Sequence, residues 1–300
     1  MRLTMNLGGL MKSFSCEEVC DLVRDAGFDS ADYSLEFMKE PGHMFSGDDY
    51  LSVAGRIVET MKTKGLPVTQ THAPFSFANF GNEAHYQDFI YPNIVRSIEL
   101  SAVLGADTVI VHPLHHMLYE GHEEEIFSLN MAYYRSLIPV ARNNGVKIAV
   151  ENMFQRDPRR GIITHDTCST IGEFCRYIDT LNSEWITACL DVGHVGLPLQ
   201  TDEAWDFVRA LGHDRLGALH VHDNSYKNDE HTSPFSGKID WSKFTKALGE
   251  IDYQGDFTYE VRIPNLVNFG DTKLVAIWLE YMSKIGRYLV AQVEENRPKK

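Results

Sequence analysis

Five residues able to bind a cation stand at the ends of five short apolar runs. The runs are Thr108-Val-Ile-Val-His112, Ile148-Ala-Val-Glu151, Ala188-Cys-Leu-Asp191, Ala218-Leu-His220 and Phe257-Thr-Tyr-Glu260. Each reads as a buried β-strand that closes on a coordinating group. In sheets of parallel strands covered by helices, ligands bind at the carboxyl ends of the strands. Glu151, Asp191, His220 and Glu260 together make a mixed oxygen and nitrogen donor set, suited to Mn²⁺, Co²⁺, Mg²⁺ or Zn²⁺. Three carboxylates brought together without a cation would repel one another and rise in pKa, and a divalent ion removes that conflict. Taken singly, each of these residues reads equally well as a polar cap facing a loop. Their recurrence at the same place in successive runs points to one metal pocket.

Further donors lie one loop away. His72 follows the third strand in Thr71-His-Ala-Pro-Phe75, and His112 precedes Pro113 after the fourth. His194 lies three residues after Asp191, and Asp229 and His231 share the loop after the seventh strand. These residues are candidates for binding substrate hydroxyls, for carrying protons or, for Asp229 and His231, for holding an additional metal. The bland alternative for each is a loop residue that caps backbone groups. His115, His116 and His122 form a His-rich loop that reads as incidental.

The elements that must position these groups alternate regularly. Strands are expected at Leu3–Leu7, Ser30–Ser34, Pro67–Thr71, Val109–Val111, Val146–Val150, Trp185–Leu190, Leu216–Leu219 and Asp256–Tyr259. Helix-length stretches separate them, several closed by glycine at Gly27, Gly65, Gly105 and Gly145. Eight strand–helix units favour a closed (β/α)8 barrel over an open sheet, as one domain over residues 1–300. No Gly-x-Gly-x-x-Gly follows the first strand, so a dinucleotide site has no support.

Composition narrows the function classes. The 300 residues are 43% hydrophobic, enough for a large core. A net charge of −14 disfavours a broad nucleic-acid or anionic-membrane surface. No stretch approaches the ~18 apolar residues of a membrane span. The N-terminus runs straight into a strand pattern without signal-peptide shape. The five cysteines are odd in number and show no zinc-ribbon spacing, which fits a reduced, cytoplasmic setting. A homo-oligomer is left open.

Here the residues carry a resemblance. Glu151-Asn152, Asp191-Val-Gly-His194, Leu219-His-Val-His-Asp-Asn224, Asp229-x-His231 followed by Gly237-Lys-Ile-Asp240, and Tyr259-Glu260 occur in order over nearly the whole chain. This ordered set resembles the sugar-phosphate isomerase/epimerase family, the xylose isomerase-like TIM barrels. The resemblance implies a divalent metal held by Glu151, Asp191, His220 and Glu260. It also implies that Glu151 and Glu260 flank a small carbohydrate, one removing a proton beside the carbonyl and the other returning it to the opposite face. The metal would stabilise the enediolate between those steps. His72, His112, His194 and Arg262 are the substrate-binding candidates. Isomerisation or epimerisation of a small sugar, ketose or cyclitol is the leading reading, with a lyase or dehydratase step on a related sugar or inosose behind it. The chain also resembles endonuclease IV. Matches to its nine zinc-ligand types stand at His72, His112, Glu151, Asp191, His194, His220, Asp229, His231 and Glu260. Two departures count against that zinc phosphodiesterase: Asn-Met-Phe-Gln follows Glu151 where Asn-Thr-Ala-Gly would be required, and Val-Gly-His follows Asp191 where Thr-Cys-His would be.

Overall fold

The computed structural model describes residues 1–40, 42–75, 83–114, 117–265 and 270–299. Among them the strands are β1 (Leu3–Asn6), β2 (Ser30–Ser34), β3 (Val68–His72), β4 (Thr108–Val111), β5 (Lys147–Glu151), β6 (Phe154–Arg156), β7 (Ile163–His165), β8 (Ile186–Asp191), β9 (Leu216–His220) and β10 (Phe257–Tyr259). Eight of these run parallel in the order β10-β1-β2-β3-β4-β5-β8-β9. The ring closes between β9 and β10. There the Val221 N–H donates to the Thr258 carbonyl at 2.8 Å, and the Glu260 N–H donates to the Val221 carbonyl at 3.2 Å. The expected (β/α)8 barrel is therefore present.

Local chemistry explains where the helices start and stop. Ser15 caps the helix Cys16–Asp25 in a capping box with Glu18. The helices Tyr91–Leu104 and Glu123–Asn144 end on Gly105 and Gly145, both at positive φ, where a side chain would be strained. Those two stops turn the chain into β4 and β5, which carry site residues.

Side-chain alternation divides each strand between two environments. The outward residues Val109, Val111, Ile148, Val150, Ala188, Leu190 and Leu219 join the main core beneath the helices. The inward residues Ile110, Ala149, Cys189 and Ala218 form a small separate cluster inside the ring. The next inward position along the chain is His112, Glu151, Asp191 or His220. One register thus places the apolar floor and the ligands above it.

The structure adds elements that short windows hide. β6 and β7 form an antiparallel hairpin inserted between β5 and the helix Ile171–Leu181. Three-residue strands are too short to show alternation. The helices Gly8–Met11 and Val192–Val195 are likewise too short for a 3.6-residue signal. β3 runs through His72, whereas His112 and Glu260 stand just past their strands. His115 and His116 lie outside the described residues. No described helix is long and apolar enough to cross a membrane.

Candidate metal centre

Four ligand atoms, one each from Glu151, Asp191, His220 and Glu260, lie within 4.8 Å of one another. The His220 Nδ1 is 2.9 Å from Glu151 Oε1 and 3.4 Å from Glu260 Oε2. A second group joins His72 and His112 to Glu151. His112 Nε2 lies 2.8 Å from Glu151 Oε2 and 3.1 Å from His72 Nε2. A third comprises His194, His222, Asp229 and His231. In it His231 Nε2 is 2.8 Å from Asp229 Oδ2, and His194 Nε2 is 3.7 Å from Asp229 Oδ1. All nine residues expected as donors therefore gather at the carboxyl end of the barrel.

The backbone fixes how three of the rings face. His72 Nδ1 is 2.8 Å from the Ala73 carbonyl, His194 Nδ1 is 2.9 Å from that of Asn152, and His231 Nδ1 is 2.8 Å from that of Glu260. A ring that donates Nδ1–H to a carbonyl keeps its Nε2 lone pair for the site. Asn152 serves twice: its side chain accepts from the Asp191 N–H at 2.8 Å and donates to the Asp191 carbonyl at 3.0 Å. It thereby locks the end of β8 against β5.

The electrostatics match a centre designed for positive charge. Burial alone would push Glu151 up, but the adjacent His220 and His112 hold it well below the usual carboxylate range. Asp191 is also lowered against its burial, by His194 and His222. Asp229 is lowered by His194 and His231, again against its burial. Burial opposes the proton on His194, yet Asp191 and Asp229 raise it to about 10. Glu260 goes the other way. Burial and then the like charges of Glu151 and Asp191 push it well above its ordinary value, although 21% of its side chain remains open to the cavity. A carboxyl forced up by its neighbours, next to a buried Asp229 Oδ1 with no hydrogen-bond partner among the described residues, fits a site completed by a cation.

His222 was not singled out from the sequence. It is fully buried, and its Nε2 lies 2.9 and 3.0 Å from the two oxygens of Asp191. Its ring stacks on His231 with centroids 3.9 Å apart. A Cβ on Gly193 would fall 2.0 Å from His222 Cε1. The glycine in Asp191-Val-Gly-His194 is thus the space that this imidazole occupies. The usable signal was period two: His222 follows His220 by two residues and turns to the same face.

Above the donors is a cavity of about 360 Å³, walled by Phe75, Met153, Phe154, Gln155 and Arg156 and floored by His112, Glu151, His194, Asp229, His231 and Glu260. Arg156 comes from the inserted hairpin and donates to Asn228 Oδ1 at 3.0 Å. Arg262 stands outside this cavity. It lines the wider adjoining cleft, which also touches Asp229, His231 and Glu260, and its Nη2 donates to the Asp229 carbonyl at 3.2 Å.

The barrel agrees with the comparisons. Residues 20–283 match the family model described as xylose isomerase-like TIM barrel, and the chain belongs to that family. It is 21% identical over 264 residues to the putative L-ribulose-5-phosphate 3-epimerase SgbU of Haemophilus influenzae, covering 84% of this chain and 85% of that protein. It is 28% identical over 180 residues to a probable endonuclease 4 of Staphylococcus saprophyticus, covering 57% of this chain and 56% of that one. Solved structures share the fold, two of which serve as examples. A D-tagatose 3-epimerase-like protein aligns with a TM-score of 0.72 at 21% identity, over 98% of this chain and 99% of that one. The IOLI protein, solved with a bound zinc atom, aligns with a TM-score of 0.74 at 19% identity over 100% of both chains.

Proposed function

We propose that this chain is a metal-dependent isomerase or epimerase acting on a small sugar, ketose or cyclitol. The observation that carries the reading is the pairing of Glu151 and Glu260. Both face one imidazole nitrogen, at 2.9 and 3.4 Å, on the floor of a cavity of sugar-binding size. Glu151, Asp191, His220 and Glu260 would hold the ion, with Mn²⁺, Co²⁺, Mg²⁺ and Zn²⁺ as the candidates. A bound divalent ion supplies Lewis-acid polarisation of a carbonyl oxygen.

The chain's own groups do the rest. One glutamate takes the proton from the carbon beside the carbonyl, leaving an enediolate, and the other returns a proton to the opposite face. His72, His112 and His194 have their Nε2 atoms turned inward, where they can bind substrate hydroxyls. Arg262, which lines the outer cleft, would meet a substituent that extends there. Phe75, Met153 and Phe154 offer apolar walls that exclude water from the exposed carbanion. The name of the Haemophilus relative supports a ketose 3-epimerase. A lyase or dehydratase would use the same first proton transfer. The test is to soak metal-loaded crystals with a panel of ketoses and inososes. The reading requires the carbon beside the carbonyl to lie between Glu151 and Glu260; a panel that never enters the cavity would contradict it.

One observation favours a second reading, a zinc phosphodiesterase. The three donor groups include every residue matched to endonuclease IV, and Asp229 and His231 would hold the additional metal. Against it stand the −14 net charge and the apolar cavity walls. The matched span also covers just over half of that relative.

A further inference from the structure

We propose that Asp32 is the positioning carboxylate of the metal centre, acting through His220; the inference rests on the metal reading above. His220 faces the centre the opposite way from its neighbours. His72, His194 and His231 present Nε2 and anchor Nδ1 on backbone carbonyls. His220 presents Nδ1 to Glu151 and Glu260, so its Nε2 is left to face the layer below. That nitrogen is buried and has no hydrogen-bond partner among the described residues. The group facing it is Asp32 Oδ2, at 3.8 Å.

Asp32 is itself unexplained as a structural residue. It is a fully buried carboxylate inside β2. Its Oδ2 accepts from Asn6 Nδ2 at 3.0 Å and from Gln70 Nε2 at 3.3 Å, while its Oδ1 has no hydrogen-bond partner among the described residues. Two amide donors leave much of an ionised carboxylate's accepting capacity unused, and buried charges are strongly disfavoured unless paired. The three residues are register neighbours: Asn6 pairs Asp32, and Asp32 pairs Gln70. Between β2 and β3 the register slips by one, since Ala31 pairs Val68 while Asp32 pairs Gln70. Irregularities of this kind re-aim a side chain beside a functional site. The extra residue is Thr69 on β3, so the slip brings the Gln70 amide, not Thr69, opposite the Asp32 carboxylate.

The chemistry then closes. With a cation on Nδ1, a neutral imidazole carries its proton on Nε2. That N–H needs to approach Asp32 by only about an ångström to form a hydrogen bond. The carboxylate would fix the tautomer and hold the ring's angle.

The test is metal affinity, measured without substrate. Metal-free wild type, Asp32→Asn and Asp32→Ala are titrated with Mn²⁺, following the free-ion electron paramagnetic resonance signal, and their melting temperatures are taken without metal. Both variants should bind about 10–100-fold more weakly, the alanine at the upper end, and Asp32→Glu should recover part of the loss. Affinity within twofold of wild type in folded variants overturns the role, even if melting temperatures move. Should the variants not fold, ¹⁵N spectra of the histidine rings in zinc-loaded wild type decide. The role requires a slowly exchanging proton on His220 Nε2, and a bare or freely exchanging Nε2 overturns it. A wild type that takes up no ion removes this inference together with the metal reading; a wild type that binds, with variants binding equally well, removes this inference alone.

Discussion

Glu151 and Glu260 are chemically alike but differently placed. Glu151 is 1% exposed and wedged between His112 and His220, whereas Glu260 keeps part of its side chain open to the cavity. Replacing either by glutamine preserves size but removes both basicity and charge. Glu151→Gln and Glu260→Gln should each lower turnover by at least about 10²–10⁴-fold, the range for losing one acid–base group. Near-normal steady-state rates in either variant would rule out a two-glutamate mechanism. Gly193 and His222 make a second pair whose coupling is measurable. Gly193→Ala forces a methyl group into the imidazole and should destabilise the metal-free protein by about 1–3 kcal/mol, as overpacking does. In a His222→Ala background that penalty should largely vanish, because contacting residues are not additive. Denaturant titrations of the four proteins give the cycle, and additive penalties would show that the two residues do not share this space.

At the scale of elements, β4, β5, β8 and β9 were legible because each is a short, largely apolar run, whereas Ser30-Ala-Asp-Tyr-Ser34 and Val68-Thr-Gln-Thr-His72 are mostly polar and were placed by the regular strand–helix alternation. The position of His112, Glu151, Asp191 and His220 at the ends of successive runs pointed to one pocket at the carboxyl end of the sheet. Asp32 and His222 were harder to see, since Ser30-Ala-Asp-Tyr-Ser34 reads as an ordinary strand and His222 lies beyond the strand end. The value of each depends on a partner distant in sequence: His220 for Asp32, Gly193 for His222. The hairpin β6–β7 was invisible because its strands hold three residues each. Beside that hairpin, Glu173 stands in the first turn of the helix Ile171–Leu181 and accepts from the Cys168 N–H at 2.9 Å. Burial pushes its carboxyl up to about 7. A carboxyl raised above its unfolded value contributes stability that is fully present below about pH 4.5 and lost as pH rises to about 7. Glu173→Gln, which cannot ionise, should therefore be more stable than wild type at pH 8, on the order of 1–2 kcal/mol, with the gap closing toward pH 5. Thermal melts across that range check the sign; a gap that widens on acidification would place the carboxyl in a different environment.

For the whole molecule, the fold allows more than one chemistry, and the site must decide between them. The charge of −14 argues against a phosphate-backbone substrate, because DNA-binding proteins neutralise several phosphates with Lys or Arg and weaken steeply with salt. A zinc-loaded sample should leave an abasic-site duplex intact, and robust, salt-sensitive incision would promote the phosphodiesterase reading. Proton transfer beside a carbonyl leaves its trace in exchange with solvent. Metal-loaded protein is incubated with ketoses and inososes in D₂O and followed by proton NMR. At least one compound is expected to take up deuterium at the carbon beside its carbonyl. That uptake should depend on the metal and disappear in Glu151→Gln and Glu260→Gln. Exchange that persists in those variants, or none across the panel with any of the four metals, would contradict proton transfer by the two glutamates.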